Sequence, residues 1–208
     1  MKPNAAVATL SKGSAAASAI PRRYRHPQDG IWRVQIIQGE TFVTEAPDEV
    51  LTTVLGSCVA ACIRDSVARV GGMNHFLLPK GDGNDRDALC YGVNAMELLI
   101  NGLMRHGGLR ERMEAKVFGG ANVMAALSDI GSRNGAFARH FLAEEGIRLV
   151  SADLGGTLPR RIEYWPLTGR ARQLTVVDNR EEFMRLEWER AQSRPPKVGN
   201  GGQDVELF

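Results

Sequence analysis

Among three cysteines and four histidines, one pairing offers chemistry that neither residue has alone: Cys58 with His75. A free thiol with a pKa of about 8.5 is only a few per cent thiolate at neutral pH. A neighbouring imidazolium stabilises the attacking anion, and the same imidazole can then protonate a leaving group. Gly56 precedes the cysteine as a flexible joint, and the backbone amides of Ser57 and Cys58 are candidates to hold the oxyanion of a tetrahedral intermediate. A third group commonly orients the base. The hydroxyls of Thr52 and Thr53 are both in place upstream, and spacing does not choose between them. Taken singly, each residue has a plainer reading: Cys58 as a core cysteine, His75 as a hydrogen-bonded structural histidine, Thr52 as an ordinary strand residue. Cys62 and Cys90 keep that plainer reading.

The pairing depends on the elements that carry it. Val54 to Arg64 and Val70 to Leu78 are two β-compatible runs separated by the polar connection Asp65 to Arg69, which predicts an antiparallel hairpin. With the turn centred on Val67, Cys58 falls opposite Phe76. A one-residue bulge at Gly71-Gly72 would bring it opposite His75, where cross-strand Cβ atoms lie about 4.5 to 5.5 Å apart. Upstream, Trp32, Val34 and Ile36 alternate with polar residues, and Gly39-Glu40 reads as a turn into Thr41 to Val43, a second hairpin. Downstream, Val93, Met96, Leu99, Ile100 and Leu103 recur at helical spacing before a Gly107-Gly108 stop. Lys116 to Phe118 reads as a strand ending in Gly119-Gly120-Ala121-Asn122. Ser132 is placed to cap a helix carrying Phe137, Phe141 and Leu142, which Gly146 ends. Strands at Ile147 to Ala152 and Arg161 to Trp165, a turn at Pro166 to Gly169 leading toward Leu174 and Val176, and a charged helix over Glu181 to Gln192 complete the pattern. Strands and helices are mixed and not strictly alternating, so the fold class is α/β.

Two rival chemistries fail on spacing. Cys58, Cys62, Cys90 and His75 could be written as a zinc set, but four strand residues span about 13 Å, whereas two sulfurs on one zinc lie within about 4.6 Å. No metal is expected. The Gly119 to Asn122 and Asp153-Leu154-Gly155-Gly156 loops lack the endings of nucleotide cradles and read as turns.

Composition bounds the rest. Twenty-six Lys and Arg against twenty-four Asp and Glu leave a net charge of +2, without the broad basic footprint of a nucleic-acid binder. No apolar run approaches the roughly 18 residues of a membrane helix. An odd number of cysteines without disulfide spacing points to a reducing compartment, the cytoplasm. Residues 1–30, rich in Ala, Ser and Arg, read as a disordered leader; 31–193 form one domain; 194–208 are a flexible linker and tail.

Five ordered stretches together resemble one family, the chemoreceptor glutamine deamidases called CheD: Leu55-Gly56-Ser57-Cys58-Val59-Ala60, Gly71 to Pro79, Ala95 to Asn101, Lys116 to Asn122 and Asp153 to Gly156. The resemblance covers about Ile31 to Val177. It implies an α/β layered sandwich of mixed, mainly antiparallel sheet with packed helices, related to the deamidase domain of cytotoxic necrotising toxins. It places the nucleophile on Cys58, the histidine on His75 and the supporting threonine on Thr52, so Thr53 is disfavoured. The implied substrates are glutamines on the cytoplasmic helices of chemotaxis receptors, with a CheC-type phosphatase as a further partner of some members and no cofactor. A receptor helix demands an open groove, for which Gly119, Gly120, Ala121 and Asn122 are candidate substrate-binding walls. Two other functions are open: ester or peptide hydrolysis by the same thiol and imidazole, which releases no ammonia, and a non-catalytic adaptor that binds receptors or a phosphatase partner through Leu207 and Phe208.

Overall fold

Val59–Asp65 consists of seven residues of which only Arg64 escapes full burial, and a strand reads this way only when both its faces are covered. In the computed structural model, which describes residues 22–79, 85–123 and 128–176, this strand is the middle of a three-layer sandwich. The elements in chain order are β1 (Arg22–Arg25), β2 (Trp32–Gln35), β3 (Thr41–Thr44), β4 (Glu49–Leu55), β5 (Val59–Asp65), β6 (Val70–Asn74), α1 (Asp85–Arg105), a 3₁₀ turn (Arg110–Arg112), β7 (Met113–Gly119), α2 (Ser128–Glu144), β8 (Arg148–Leu154), β9 (Arg160–Trp165) and β10 (Arg170–Thr175). The outer sheet runs β1-β2-β4-β9-β10 and the central sheet β3-β6-β5-β7-β8. Each holds one parallel pair, β2 with β4 and β7 with β8; the rest are antiparallel. The expected α/β sandwich of mixed sheets is the observed one.

Alternation along β5 feeds two cores. Val59, Ala61 and Ile63 face the helices and join Phe76, Met96, Leu99, Ile100, Leu103, Phe137 and Leu142. Cys58, Ala60 and Cys62 face the outer sheet and join Ile36, Leu51, Leu55, Met73, Ile162 and Tyr164. The expected apolar stripe of α1 is buried except for Val93, which is 41% exposed, and the helix starts earlier than its stripe. Gly107 and Gly108 close it as expected, donating to the Met104 and Leu103 carbonyls. α2 starts at Ser128, ahead of the expected cap at Ser132.

Three expectations are corrected. Arg22–Arg25, assigned to a disordered leader, is a strand antiparallel to β2: Arg23 stacks over Trp32 at 4.4 Å and pairs with Glu49 at 2.8 Å, so charged residues find partners without an apolar face. β2 and β3 form no hairpin; they belong to different sheets, and residues 36–40 carry the chain across. Nor is Val54 to Arg64 one strand. It breaks at Gly56-Ser57, where the chain leaves the outer sheet at β4 and enters the central sheet at β5. The helix expected over Glu181 to Gln192, the tail with Leu207 and Phe208, and the leader before Arg22 lie outside the described residues.

Candidate active site

Cys58 stands at the second of these sheet changes, and its loop is held from behind. Ala121 N–H donates to the Gly56 carbonyl at 2.7 Å, the Asn134 amide to the Ser57 carbonyl at 2.8 Å, and Gly120 N–H to the Cys58 carbonyl at 2.8 Å. Peptide planes are trans, so turning the Gly56 and Ser57 carbonyls toward Ala121 and Asn134 turns the amides of Ser57 and Cys58 the opposite way. Gly119 has φ +110°, and a Cβ there would sit 2.2 Å from the Cys58 carbonyl oxygen, so only glycine lets the two loops approach. Asn134 is wholly buried, and its Oδ1 also accepts from Leu78 N–H at 2.8 Å. One side chain of α2 thereby ties the cysteine loop to the segment following His75.

The register between β5 and β6 pairs Cys62 with Met73 and runs on to a bridge between Val59 and Phe76, with both N–H···O bonds at 2.9 Å. Cys58 thus falls opposite Leu77 and His75 opposite Ala60. Thiol and imidazole share one face as diagonal neighbours, with Cβ atoms about 7 Å apart, within side-chain reach but not directly opposite as expected. The bulge expected at Gly71-Gly72 is absent: both sit in regular pairing, and side chains there would strike Pro166 and Phe42. The irregularity lies at Asn74, whose Oδ1 accepts the Ala61 N–H at 2.9 Å in place of a backbone carbonyl. Freed from β5, His75 pairs with residues 39 and 40 instead, accepting from Gly39 N–H at 2.7 Å and donating to the Glu40 carbonyl at 3.0 Å.

The imidazole is oriented from the other sheet. His75 Nδ1 lies 2.8 Å from Thr53 Oγ1, which itself donates to the Ile36 carbonyl at 2.8 Å. A hydroxyl has one hydrogen and a carbonyl can only accept, so Thr53 must accept from Nδ1–H. The Ile36 carbonyl 3.4 Å from Nδ1 demands the same proton position. The neutral ring therefore carries its hydrogen on Nδ1, and Nε2 is the basic nitrogen. The threonine that meets the ring is Thr53, which shares the inward face of β4 with Leu51 and Leu55, whereas Thr52, the threonine the resemblance supplies, points outward beside Tyr24, Gln35 and Arg161.

Two residues that sequence reasoning missed complete the surroundings. Gln38, half-buried on the first sheet crossing, presents Oε1 to Cys58 Sγ at 3.5 Å. Tyr91 on α1 places its hydroxyl 3.7 Å from where a Cβ on Gly39 would stand, and its pKa is raised, first by burial and then by the Cys58 charge. Neither stands near Cys58 in sequence; no local pattern could announce them. Cys62 is buried, and burial pushes its thiol far above the ordinary range, while Cys90 is exposed on α1. Gly119, Gly120 and Ala121 are buried and back the cysteine loop; Asn122 is half-buried, its N–H on the Gly156 carbonyl at 2.8 Å. The reactive pair itself is buried: Cys58 is 0% and His75 2% exposed. No helix among the described residues is long and apolar enough to cross a membrane.

Fold and site define an α/β sandwich with a thiol and an imidazole gathered where the chain passes between its sheets. Residues 77–175 match the family model described as "CheD chemotactic sensory transduction". A protein of Caulobacter vibrioides named "Probable chemoreceptor glutamine deamidase CheD" is 52% identical over 179 residues, covering 85% of this chain and 93% of its own. Its namesake in Agrobacterium fabrum is 59% identical over 178 residues, covering 85% and 96%. Bacillus licheniformis hypothetical protein YfiH, a solved structure, overlaps 55% of this chain and 50% of its own at 14% identity and a TM-score of 0.39. The chain belongs to the CheD family.

Proposed function

We propose that this protein is a protein-glutamine deamidase that converts glutamine side chains on chemotaxis receptors to glutamate and releases ammonia. The carrying observation is the placement of Cys58 and His75 on one face of the central sheet, with His75 Nδ1 anchored 2.8 Å from Thr53 Oγ1 so that Nε2 is the base. The names borne by relatives more than half identical supply the substrate class. His75 Nε2 takes the thiol proton, and the Cys58 thiolate attacks the carboxamide carbon. The amides of Ser57 and Cys58, turned away from Ala121 and Asn134, receive the oxyanion. The imidazolium gives its proton to the nitrogen as the C–N bond breaks, ammonia leaves, and a thioester remains. Water, deprotonated by the same nitrogen, then attacks the thioester and frees glutamate and thiol. No step needs a cofactor. Free cysteines and a substrate class of receptor cytoplasmic helices support the cytoplasm as the site of the reaction; a CheC-type phosphatase as a second partner rests on the family resemblance alone.

The test incubates purified receptor cytoplasmic domain with wild type, Cys58→Ala or His75→Ala, maps glutamine-to-glutamate conversion by mass spectrometry and measures ammonia. Conversion with stoichiometric ammonia by wild type alone is expected. Identical maps from wild type and Cys58→Ala would remove the assignment.

A further inference from the structure

The nucleophile proposed above is covered, and one of the groups that touches it is a primary carboxamide. Cys58 is 0% exposed, its Sγ 3.5 Å from Gln38 Oε1, with Gln38 itself half-exposed toward solvent. The residues flanking Gln38 are pinned through their backbone. Ile36 N–H donates to the Thr52 carbonyl at 2.8 Å, Ile37 N–H to the Glu40 carboxylate at 2.9 Å, and Gly39 N–H to the His75 carbonyl at 2.7 Å. The Gln38 side chain, by contrast, meets the thiol through a single hydrogen bond to a weak S–H donor. It can therefore swing away without disturbing the crossing that holds His75. A carbonyl that accepts the thiol hydrogen also favours the uncharged sulfur.

We propose that Gln38 occupies the carboxamide subsite as an internal stand-in for substrate, covering the nucleophile and holding it as the thiol until the carboxamide of an incoming glutamine takes its place. The inference rests on the deamidase reading and deepens it: the recognised group is a primary amide, and the protein supplies its own copy. No bond to Gln38 is made or broken; only its side-chain torsions change.

The test is iodoacetamide alkylation of the full-length chain, followed peptide by peptide, with exposed Cys90 and buried Cys62 as internal references. Gln38→Ala should alkylate at Cys58 about tenfold faster than wild type, the value of one modest hydrogen bond, with Cys90 unchanged and Cys62 still protected. Gln38→Ser should do likewise, and it carries the test if a reactive Cys62 reveals that the alanine variant has lost its fold. The apparent KM for receptor should fall in both variants, because no internal amide competes. Cys58 alkylation equal to or slower than wild type in the folded variants overturns the proposal. Alkylation needs no receptor, so faster Cys58 labelling without any deamidation by wild type would leave Gln38 as the cover over the thiol but overturn both the deamidase reading and the substrate stand-in that rests on it.

Discussion

Replacing Thr53 by valine separates the geometry of this site from the resemblance, which put the supporting threonine at Thr52. Valine keeps the shape of threonine, so the inward face of β4 beside Leu51 and Leu55 stays filled while two hydrogen bonds disappear, to the Ile36 carbonyl and from His75 Nδ1. The neutral ring loses a bond of about 1 kcal/mol, and the imidazolium formed during catalysis loses one of about 1.5 to 3 kcal/mol. Only the difference, about 0.5 to 2 kcal/mol, raises the barrier, so at about 1.4 kcal/mol per tenfold Thr53→Val should lower kcat by roughly 2- to 30-fold. The Ile36 carbonyl 3.4 Å from Nδ1 remains as a poorer acceptor, which argues for the smaller figure. Thr52→Val, on the outward face, should change kcat by less than about threefold, within the scatter of a surface substitution. The assay is the initial rate of glutamate appearance in receptor peptides by mass spectrometry, with thermal unfolding to confirm that both variants fold. A large loss in Thr52→Val with Thr53→Val near wild type would refute the assignment of the ring's hydrogen and of Nε2 as the base.

Asp65 accepts N–H bonds from Val67, Ala68 and Leu109 and a bond from Arg112; these outweigh the opposing effect of its burial and bring its pKa from 3.8 to about 2. The folded state thus holds the ionised form more strongly than the unfolded chain does. Its contribution to stability is complete above pH 3.8 and is lost as pH falls through 2, so the gap in melting temperature between wild type and Asp65→Asn should be widest near neutrality and close across that window. Ala121→Leu should destabilise the protein by about 1 to 3 kcal/mol rather than reshape a groove, because Ala121 has no exposed surface and its N–H holds Gly56; denaturant unfolding reads the change.

Sequence patterning exposed what local physics controls. The stripe Met96, Leu99, Ile100, Leu103 demanded a helix and has one; the β5 and β6 runs demanded antiparallel pairing and are paired. It missed what depends on which sheet a strand joins. Alternation looks the same whether a strand stays in its sheet or leaves it, so the break at Gly56-Ser57 read as a continuation and residues 36–40 as a hairpin turn. Cys58 and His75 were legible because one short connection separates their strands. Gln38 was not, because it reaches the thiol through a sheet change 20 residues upstream, and choosing Thr53 over Thr52 requires knowing which face of β4 points inward.

The imidazole of His75 works as a strut between two storeys. Its backbone belongs to the helix-covered floor, while the atoms that dictate its hydrogen, Thr53 Oγ1 and the Ile36 carbonyl, hang from the ceiling above. A fragment trimmed to the lower storey would still present sulfur and ring side by side, yet it would surrender control over which nitrogen is basic. Reactivity therefore gauges the spacing of the two storeys, and it should fade under mild loosening while each floor remains internally knit.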